Sequence, residues 1–355
     1  MQKKKEILFY IFTIISCVFA MTVVVISAIL IYDKLQNKEN KEKDKEVLAQ
    51  VDNITYSKEE VDLMLADAIA TTEKSTRERT SEDILGQLQA SLEGGTTVVE
   101  SLRPLYKDHI VVVSNGKFYF VPINEDLRMS TLVQENLQVL ENGEIQYVED
   151  GKVVSHKGID VSRYQGDIDW KQVKESGVEF AIIRLGIRGY GAEGKLSIDE
   201  KFLDNVKGAN AAGVKVGVYF FTQAITEEEA LEEANLVLEN IKDLKVDYPI
   251  VLDVEKTSAK DGRMNQLSVE ERTKIVHVFI DRIKESGYTP MIYSNMEMWS
   301  VLLNMDEFED VDKWYAYYTP TIYFPYQYAI WQYSDKGRVP GIEGDVDLNI
   351  SFKEW

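Results

Sequence analysis

The pattern of apolar and polar positions begins with a long uncharged run. Residues 7–32 hold 26 consecutive uncharged residues, and a helix of that length, roughly 39 Å, can span a bilayer. Lys3, Lys4 and Lys5 precede it directly, and the positive-inside tendency keeps such an end in the cytoplasm. We therefore expect a cytoplasmic tail at residues 1–6, a transmembrane signal anchor at residues 7–32, and an extracellular remainder.

Two other interpretations compete with the anchor. A cleavable signal peptide would need a shorter apolar run and a clear Ala-x-Ala site. Residues 14–17 resemble a lipoprotein box, yet uncharged residues continue after Cys17 where a lipoprotein would turn polar. A buried structural cysteine fits better, and because Cys17 is the only cysteine, no intrachain disulfide is possible.

Two segments of different polarity follow the uncharged run. Residues 33–56 begin with densely packed charges of mixed sign, which predicts a solvated spacer. Ser57 and Glu60 form a possible capping box for one helix, and an apolar stripe over residues 84–92 predicts a second. We expect a helical stalk over residues 57–108. An oligomeric coiled coil is the alternative, but the apolar pattern does not persist for enough heptads.

Residues 109–156 have the pattern of a small β module. Each of three turn signals is flanked by β-rich runs, and these signals are Asn115-Gly116, Asn142-Gly143 and Asp150-Gly151. The module could be a spacer or a contact surface, and we expect a spacer. A protein partner for it, or for the stalk, is not indicated by the sequence.

Short apolar strands alternate with amphipathic helices in residues 157–355. This alternation predicts an α/β fold, a TIM-like (β/α) barrel with reduced later helices. The expected strands lie near residues 159–161, 180–185, 214–221, 250–254, 290–294, 314–318, 328–333 and 346–348. The expected helices lie near residues 169–176, 199–212, 226–244 and 268–286.

Two acids, Asp253 and Glu255, stand on either side of Val254 at the end of an apolar run. Alternate side chains of an extended strand share a face, so both carboxyl groups would enter one pocket. Two acids that close cannot both ionise freely, and the usual result is an ionised Asp beside a Glu with a raised pKa that can donate a proton. Such pairs serve glycosidases. The alternative is a solvated strand end whose acids only prevent edge pairing.

Barrel geometry brings further acids to the same place. Functional groups of this architecture gather at the carboxyl ends of the strands. Asp160 ends the first expected strand, Asp253 and Glu255 end the fourth, and Asp345 and Asp347 lie at the eighth. First and eighth strands are neighbours in a closed barrel, so these acids should converge on one mouth.

Aromatic residues also lie at strand ends. Their faces can bind sugars through C–H contacts, although barrel filling is the alternative for many of them. The candidates for substrate binding are Tyr219, Phe221, Tyr293, Tyr318 and Trp331.

The net charge of the chain limits the classes of partner that the protein can bind. A formal net charge of −20 argues against nucleic acid and anionic lipid, and favours a neutral or weakly charged substrate. The three histidines do not cluster in the sequence, so we expect no metal and no cofactor.

Residues 158–351 carry a series of short motifs in a familiar order. They are GIDVS at 158–162, QG at 165–166, DW at 169–170, FAIIR at 180–184, GVYFF at 217–221, LDVE at 252–255, IYSN at 292–295, WYAYY at 314–318, WQY at 331–333 and VDLN at 346–349. In these motifs the chain resembles the family-25 glycoside hydrolases, the muramidases also called Chalaropsis-type lysozymes.

The resemblance implies cleavage of the β-1,4 bond between N-acetylmuramic acid and N-acetylglucosamine in peptidoglycan. It implies Glu255 as the proton donor, Asp253 as an assisting carboxylate, and Asp160 and Asp347 as acids that shape the pocket. Asp345 lies outside the motif. Whether the substrate's own N-acetyl group acts as nucleophile stays open, as does a direct displacement.

The chain departs from a generic member of that family at residues 185–190, which leaves the sugar subsites in question. Arg184 could clamp an acetamido or lactyl group of the substrate, or pair with a barrel acid. Two other functions stay open: a catalytically silent peptidoglycan-binding module, and a chitinase-like glycosidase, whose longer Asp-x-x-Asp-x-Asp-x-Glu spacing is absent. The resemblance and the disulfide-free ectodomain indicate a Gram-positive envelope.

Overall fold

A computed structural model describes residues 58–355. The tail at 1–6, the anchor at 7–32, the spacer at 33–56 and Ser57 of the expected capping box lie outside the described residues. Among the helices of residues 58–355, none combines the length and the apolar character that crossing a bilayer requires. The chain divides into two compact units, of which the first ends at Asp83 and the second comprises Ile84–Trp355.

A single helix, α1 (Lys58–Glu93), occupies the region where the sequence predicts two. Residues 70–83, between the two apolar stripes, contain neither proline nor glycine, so no residue there interrupts helical hydrogen bonding. The helix is followed by Gly95 with φ +85°, the left-handed conformation common after helix ends. Helix α2 (Val98–Leu102) then begins with Thr97 as its capping residue.

Three hairpin turns form where the sequence predicts them. Asn115 and Asp150 both adopt φ +49°, each before a glycine of positive φ, as type I′ turns require. The strands of these hairpins are β1 (His109–Ser114), β2 (Lys117–Pro122), β3 (Leu137–Val139), β4 (Ile145–Glu149) and β5 (Lys152–Val153). They form two separate sheets, β1-β2 and β3-β4-β5, instead of one module.

These hairpins pack on the barrel, so the expectation of a spacer is wrong. The backbone N–H of Val111 donates to the Tyr323 hydroxyl at 2.8 Å, and that of Asn124 donates to the Tyr326 hydroxyl at 2.8 Å. Tyr147 meets Phe352 edge to face, with 5.5 Å between the ring centroids. Residues 109–155 therefore act as a contact surface within the protein, the alternative that the sequence left open.

The predicted eight-stranded barrel is present. Its strands are β6 (His156–Val161), β7 (Phe180–Arg188), β9 (Lys215–Phe221), β10 (Ile250–Asp253), β11 (Pro290–Asn295), β12 (Asp312–Ala316), β13 (Ile330–Gly337) and β14 (Val346–Ser351). They pair in this order, and the pairing of β14 with β6 closes the barrel.

The last strand departs from the expected parallel arrangement. Strand β14 runs antiparallel to both β13 and β6. A parallel connection needs a crossover of a dozen or more residues, whereas the segment 338–345 is shorter and contains no helix. The short link therefore dictates the reversal, and the beginning of β14 reaches the mouth of the barrel.

Helices cover the first half of the barrel and fade in the second, as predicted. They are α3 (Trp170–Glu175), α4 (Phe202–Ala212), α5 (Glu227–Ile241) and α6 (Val269–Glu285). After β11 only a π-helical turn (Met298–Leu302) and a 3₁₀ turn (Met305–Phe308) follow, and in the described chain β12 and β13 are followed by loops alone.

Strand β7 is longer than predicted. It continues beyond Leu185 and forms a hairpin with β8 (Leu196–Ile198), which the sequence analysis missed. A bulge lies between Arg184 and Gly186. The extension ends in Arg188, whose buried guanidinium donates to Glu233 at 2.7 Å.

We expect Gly158→Ala to destabilise the barrel, because the added Cβ would overlap the ring of Phe180, which is fully buried inside it. Overpacking of this kind costs about 1–3 kcal/mol. Urea unfolding followed by tryptophan fluorescence measures the effect, since all five tryptophans lie at residues 170–355. Gly86→Ala is the matched control, because no atom lies within 4 Å of its added Cβ. Equal midpoints for the two variants would contradict the packing argument.

Candidate active site

The mouth of the barrel holds a cavity of about 190 Å³. All four acids proposed from the sequence line it. The complete lining is Asp160, Tyr219, Asp253, Glu255, Tyr293, Trp314, Tyr318, Gln332 and Asp347.

Asp253 and Glu255 reach this cavity from the end of β10. The chain stays extended after Asp253, because the N–H of Val254 donates to Tyr293 O at 3.1 Å and Ser294 Oγ donates to Val254 O at 2.6 Å. Side chains two residues apart therefore share the cavity side, as the spacing predicts. The two carboxyl groups lie close enough that each shifts the pKa of the other.

Asp160 and Asp347 form the second pair of acids. They lie opposite each other in the antiparallel register of β6 and β14, and each shifts the pKa of the other. One oxygen of Asp160, Oδ2, also accepts from Gln332 Nε2 and from Asn349 Nδ2, each at 2.8 Å. Two amide donors on one oxygen favour the ionised form of Asp160.

Neighbouring side chains fix the orientation of both amides. Gln332 Oε1 accepts from the hydroxyl of Tyr293 at 2.8 Å and from that of Tyr318 at 2.9 Å. Asn349 Oδ1 accepts from Trp314 Nε1 at 2.8 Å. Because the amide oxygens are occupied by these donors, their NH₂ groups face Asp160. The network holds that carboxylate in place before any substrate arrives.

Burial raises the pKa of every acid in the cavity. The pKa of Asp253 is raised well above its ordinary value by burial, by the charge of Glu255 and by their hydrogen bond. Burial also raises the pKa of Glu255, against the opposing hydrogen bond from Asp253. The two acids titrate as a coupled pair, and their mutual effects favour the proton on Asp253. The ionised Asp beside a protonated Glu that the sequence predicts is the opposite arrangement of that proton.

In the pair of Asp160 and Asp347, the pKa values of the two acids differ more clearly. Burial and the adjacent charge of Asp160 raise the pKa of Asp347 to about 9. Burial raises the pKa of Asp160 too, but the amides of Asn349 and Gln332 oppose it. At neutral pH the proton of this pair therefore resides on Asp347.

Three of the predicted substrate-binding residues line the cavity: Tyr219, Tyr293 and Tyr318. Phe221 does not line it and contacts Tyr190 edge to face, with 6.1 Å between centroids.

Arg184 is also outside the lining and forms an ion pair. Its Nη2 lies 2.6 Å from Asp199 Oδ2, and its guanidinium lies 5.0 Å from the centroid of the Tyr164 ring. Of the two roles left open, the structure shows pairing with an acid. The Arg184 charge still lowers the pKa of Asp253.

The prediction that Trp331 binds substrate at the mouth of the barrel is wrong. It is fully buried outside the barrel interior, and its Nε1 donates to Tyr317 O at 2.8 Å. Alternation along β13 sends Gln332 to the cavity and Trp331 to the opposite face. Gln332, Asn349 and Trp314 belong to the cavity or its network, but the sequence analysis did not name them as site residues. Gln332 lies two residues after the inward Ile330, and Asn349 lies two residues after the inward Asp347, so period-two spacing could have identified both.

Asp345 lies in an exposed loop outside the cavity and pairs with Arg338 at 2.8 Å.

Elsewhere in residues 58–355, His156, Glu179 and Glu354 come close enough to hold a metal ion. They lie at the opposite end of the barrel, where Lys215 pairs with Glu354 at 3.0 Å. This cluster is separate from the carboxylates of the mouth.

Paired carboxyl groups in one cavity at the mouth of the barrel are the catalytic groups that most glycoside hydrolases use. The family described as Glycosyl hydrolases family 25 matches residues 159–342, just over half of the chain. The protein belongs to this family.

Named relatives agree with this assignment. The autolytic lysozyme of Clostridium acetobutylicum is 32% identical over 196 residues, covering 54% of this chain and 55% of that protein. Lysozyme M1 of Streptomyces globisporus is 31% identical over 205 residues, covering 54% of this chain and 66% of that protein. The match thus spans little more than half of the first relative and about two thirds of the second.

Among solved structures, the modular autolysin LytC of Streptococcus pneumoniae in complex with a synthetic peptidoglycan ligand is similar. The TM-score is 0.50 at 25% identity, covering 68% of this chain and 57% of that chain.

We expect Asp347→Asn to change how stability depends on pH. A carboxyl group whose pKa rises on folding, here from about 4 to about 9, stabilises the fold fully only below pH ~4. Its contribution is lost as pH rises toward 9. The variant should therefore match the wild type near pH 4 and be more stable at pH 8–9, as measured by urea unfolding across pH.

The control for this experiment is Asp345→Asn, because that acid is exposed. Its curve should follow the wild type at every pH. Parallel curves for Asp347→Asn and the wild type would show that Asp347 is not protonated in the folded protein.

Proposed function

We propose that the protein is an N-acetylmuramidase that cleaves the β-1,4 bond between N-acetylmuramic acid and N-acetylglucosamine in peptidoglycan. The observation that carries this proposal is that Asp253 and Glu255 line one cavity, where burial raises the pKa of both. Family membership and the lysozyme names of two relatives support the choice of substrate.

In this proposal Glu255 donates its proton to the oxygen of the scissile bond. Burial keeps a carboxyl group protonated at neutral pH, which general acid catalysis requires. While the proton is on Glu255, Asp253 is ionised, and its negative charge faces the sugar, where positive charge develops as the bond between the anomeric carbon and the leaving oxygen breaks. After the transfer both carboxyl groups are ionised. Asp160, whose Oδ2 accepts from two amides, adds a further carboxyl group to the same cavity.

Two alternatives differ from this proposal in their products. A silent peptidoglycan-binding module would release none, but retention of all four acids around one cavity favours catalysis. A chitinase-like enzyme would cleave chains of N-acetylglucosamine and leave no reduced muramic acid.

We expect Glu255→Gln to lower kcat on purified peptidoglycan by about 10²–10⁴-fold, the usual contribution of a general acid. The amide keeps the shape of the side chain but has no acidic proton. Digests are reduced with borohydride and analysed by mass spectrometry. Wild-type products ending in reduced muramic acid support a muramidase, whereas ends of reduced glucosamine would identify a glucosaminidase.

Asp345→Asn is the matched control for catalysis, since it removes an acid outside the cavity and should retain full activity. Full activity of Glu255→Gln would refute the assigned acid. If folded wild-type protein releases no products, the binding module becomes the better explanation.

We also propose that residues 7–32 anchor the protein in the membrane with the catalytic region outside the cell. The uncharged run and the preceding lysines support this topology. Anchoring would raise the local concentration of the enzyme near newly made glycan.

Removal of residues 1–46 tests the anchor. The shortened protein should digest purified wall at the rate of the full chain, because the cavity is built from residues 160–347. It should leave the membrane fraction of cells and lose localised action on the wall. Retention of the shortened protein in the membrane fraction would contradict the proposal.

A further inference from the structure

We propose that a second cavity, beside the catalytic one, is a carbohydrate-binding subsite for a neutral N-acetylhexosamine unit of the glycan strand. The inference rests on the proposed function, because it assumes that the substrate is a glycan. The second cavity measures about 440 Å³, within the range of about 300–1,000 Å³ usual for ligand sites. Its lining is Gly94, Gly95, Thr96, Glu100, Arg103, Pro104, Tyr317, Thr319, Thr321 and Tyr323.

The lining of the second cavity combines apolar rings with small polar groups. Tyr317, Tyr323 and Pro104 supply ring surfaces, which pack against the C–H faces of sugars. Threonine hydroxyls and the carboxylate of Glu100 supply partners for sugar hydroxyl and acetamido groups. This mixture matches the two-sided chemistry of an acetylated sugar.

The charges of the second cavity favour a neutral ligand. Its one cation, Arg103, is already engaged by the protein: Nη1 donates to the Tyr317 hydroxyl at 2.6 Å and Nε donates to Val111 O at 3.3 Å. The guanidinium also lies 4.5 Å from the centroid of the Tyr323 ring. An anionic ligand would have to compete with these contacts and would meet Glu100.

The walls of the second cavity are held in place without a ligand. Glu100 Oε2 accepts from Thr97 Oγ1 at 2.8 Å, and Glu100 Oε1 accepts from Thr319 Oγ1 at 3.4 Å. The helix start thus joins the loop that follows β12. Preorganised walls reduce the ordering cost of binding.

The two cavities adjoin along the chain. Tyr318 lines the catalytic cavity, and its neighbour Tyr317 lines the second one. The N-terminal segment approaches the mouth at another point too, where Asn115 Oδ1 accepts from the ammonium group of Lys256 at 2.7 Å. Lys256 directly follows Glu255. In the proposal, a strand that leaves the catalytic cavity passes Tyr318 and reaches the wall formed by residues 94–104.

One wall of the second cavity lies outside the family domain. The family match begins at residue 159, whereas Gly94 to Pro104 come from the segment that precedes it. The subsite is thus a feature that this chain adds to its catalytic domain.

The test measures binding by the full chain in mild detergent, in a Glu255→Gln background that prevents hydrolysis. Thr321→Trp places a large ring at an exposed lining position. We expect long N-acetylglucosamine oligomers to bind about tenfold more weakly, a loss of about 1.4 kcal/mol, because the added ring fills space that the sugar would occupy. The dimer, too short to fill both cavities, should bind as before. Thr131→Trp, at an exposed position outside the lining, is the matched control.

Three results would overturn the subsite. They are equal binding of long oligomers by the two tryptophan variants, an equal loss for the dimer and the long oligomers, and displacement of the oligomers from this cavity by isolated stem peptide. These results are independent of catalysis, because binding is measured in the inactive background. Failure of the muramidase proposal shows itself separately, as absence of reduced muramic acid from wild-type digests.

Discussion

The burial of four carboxyl groups at one end of the barrel is the constraint on which the site depends. Each group would prefer water in its charged form, so burial raises all four pKa values. Arg184, the cation whose charge acts on Asp253, is paired with Asp199 instead. Burial thereby favours the protonated form of a carboxyl group in the cavity, where a leaving group needs a proton. The same raised pKa values lower the free energy of unfolding at neutral pH.

One strand pairing both closes the barrel and brings together part of the site. The pairing of β14 with β6 that closes the sheet sets Asp347 opposite Asp160 and Asn349 opposite Gly158. Gly158 leaves room for the ring of Phe180 inside the barrel, because any Cβ there would overlap it. A fault in this seam would therefore displace the charged pair as well as the core.

Period-two spacing and barrel architecture were sufficient to predict the eight strands and the convergence of four of the five acids. The fifth, Asp345, lies in an exposed loop outside the cavity, and only the family resemblance excluded it. Spacing and architecture were not sufficient to predict the orientation of Trp331. An aromatic residue at a strand end can face either side of the barrel, and only the register of β13 determines which side. The reversal of β14 could have been inferred from the short link 338–345. The partner of Arg184 could not be inferred, since Asp199 follows β8, a strand of only three residues that the sequence does not predict.

The N-terminal segment supplies a layer that the second half of the barrel lacks. Strands β12 and β13 have no following helix, and their outer faces would otherwise expose large side chains such as Tyr315 and Trp331, both fully buried here. Ile110, Val112 and Ile145 belong to the same apolar cluster as these residues. Burial of apolar surface contributes about 25 cal/mol per Å², so the hairpins stabilise the loop that carries Tyr317 and Tyr318. Residues 94–155, outside the family match, are thus part of the folded catalytic region. They occupy the side of the barrel where β12 and β13 are followed by no helix.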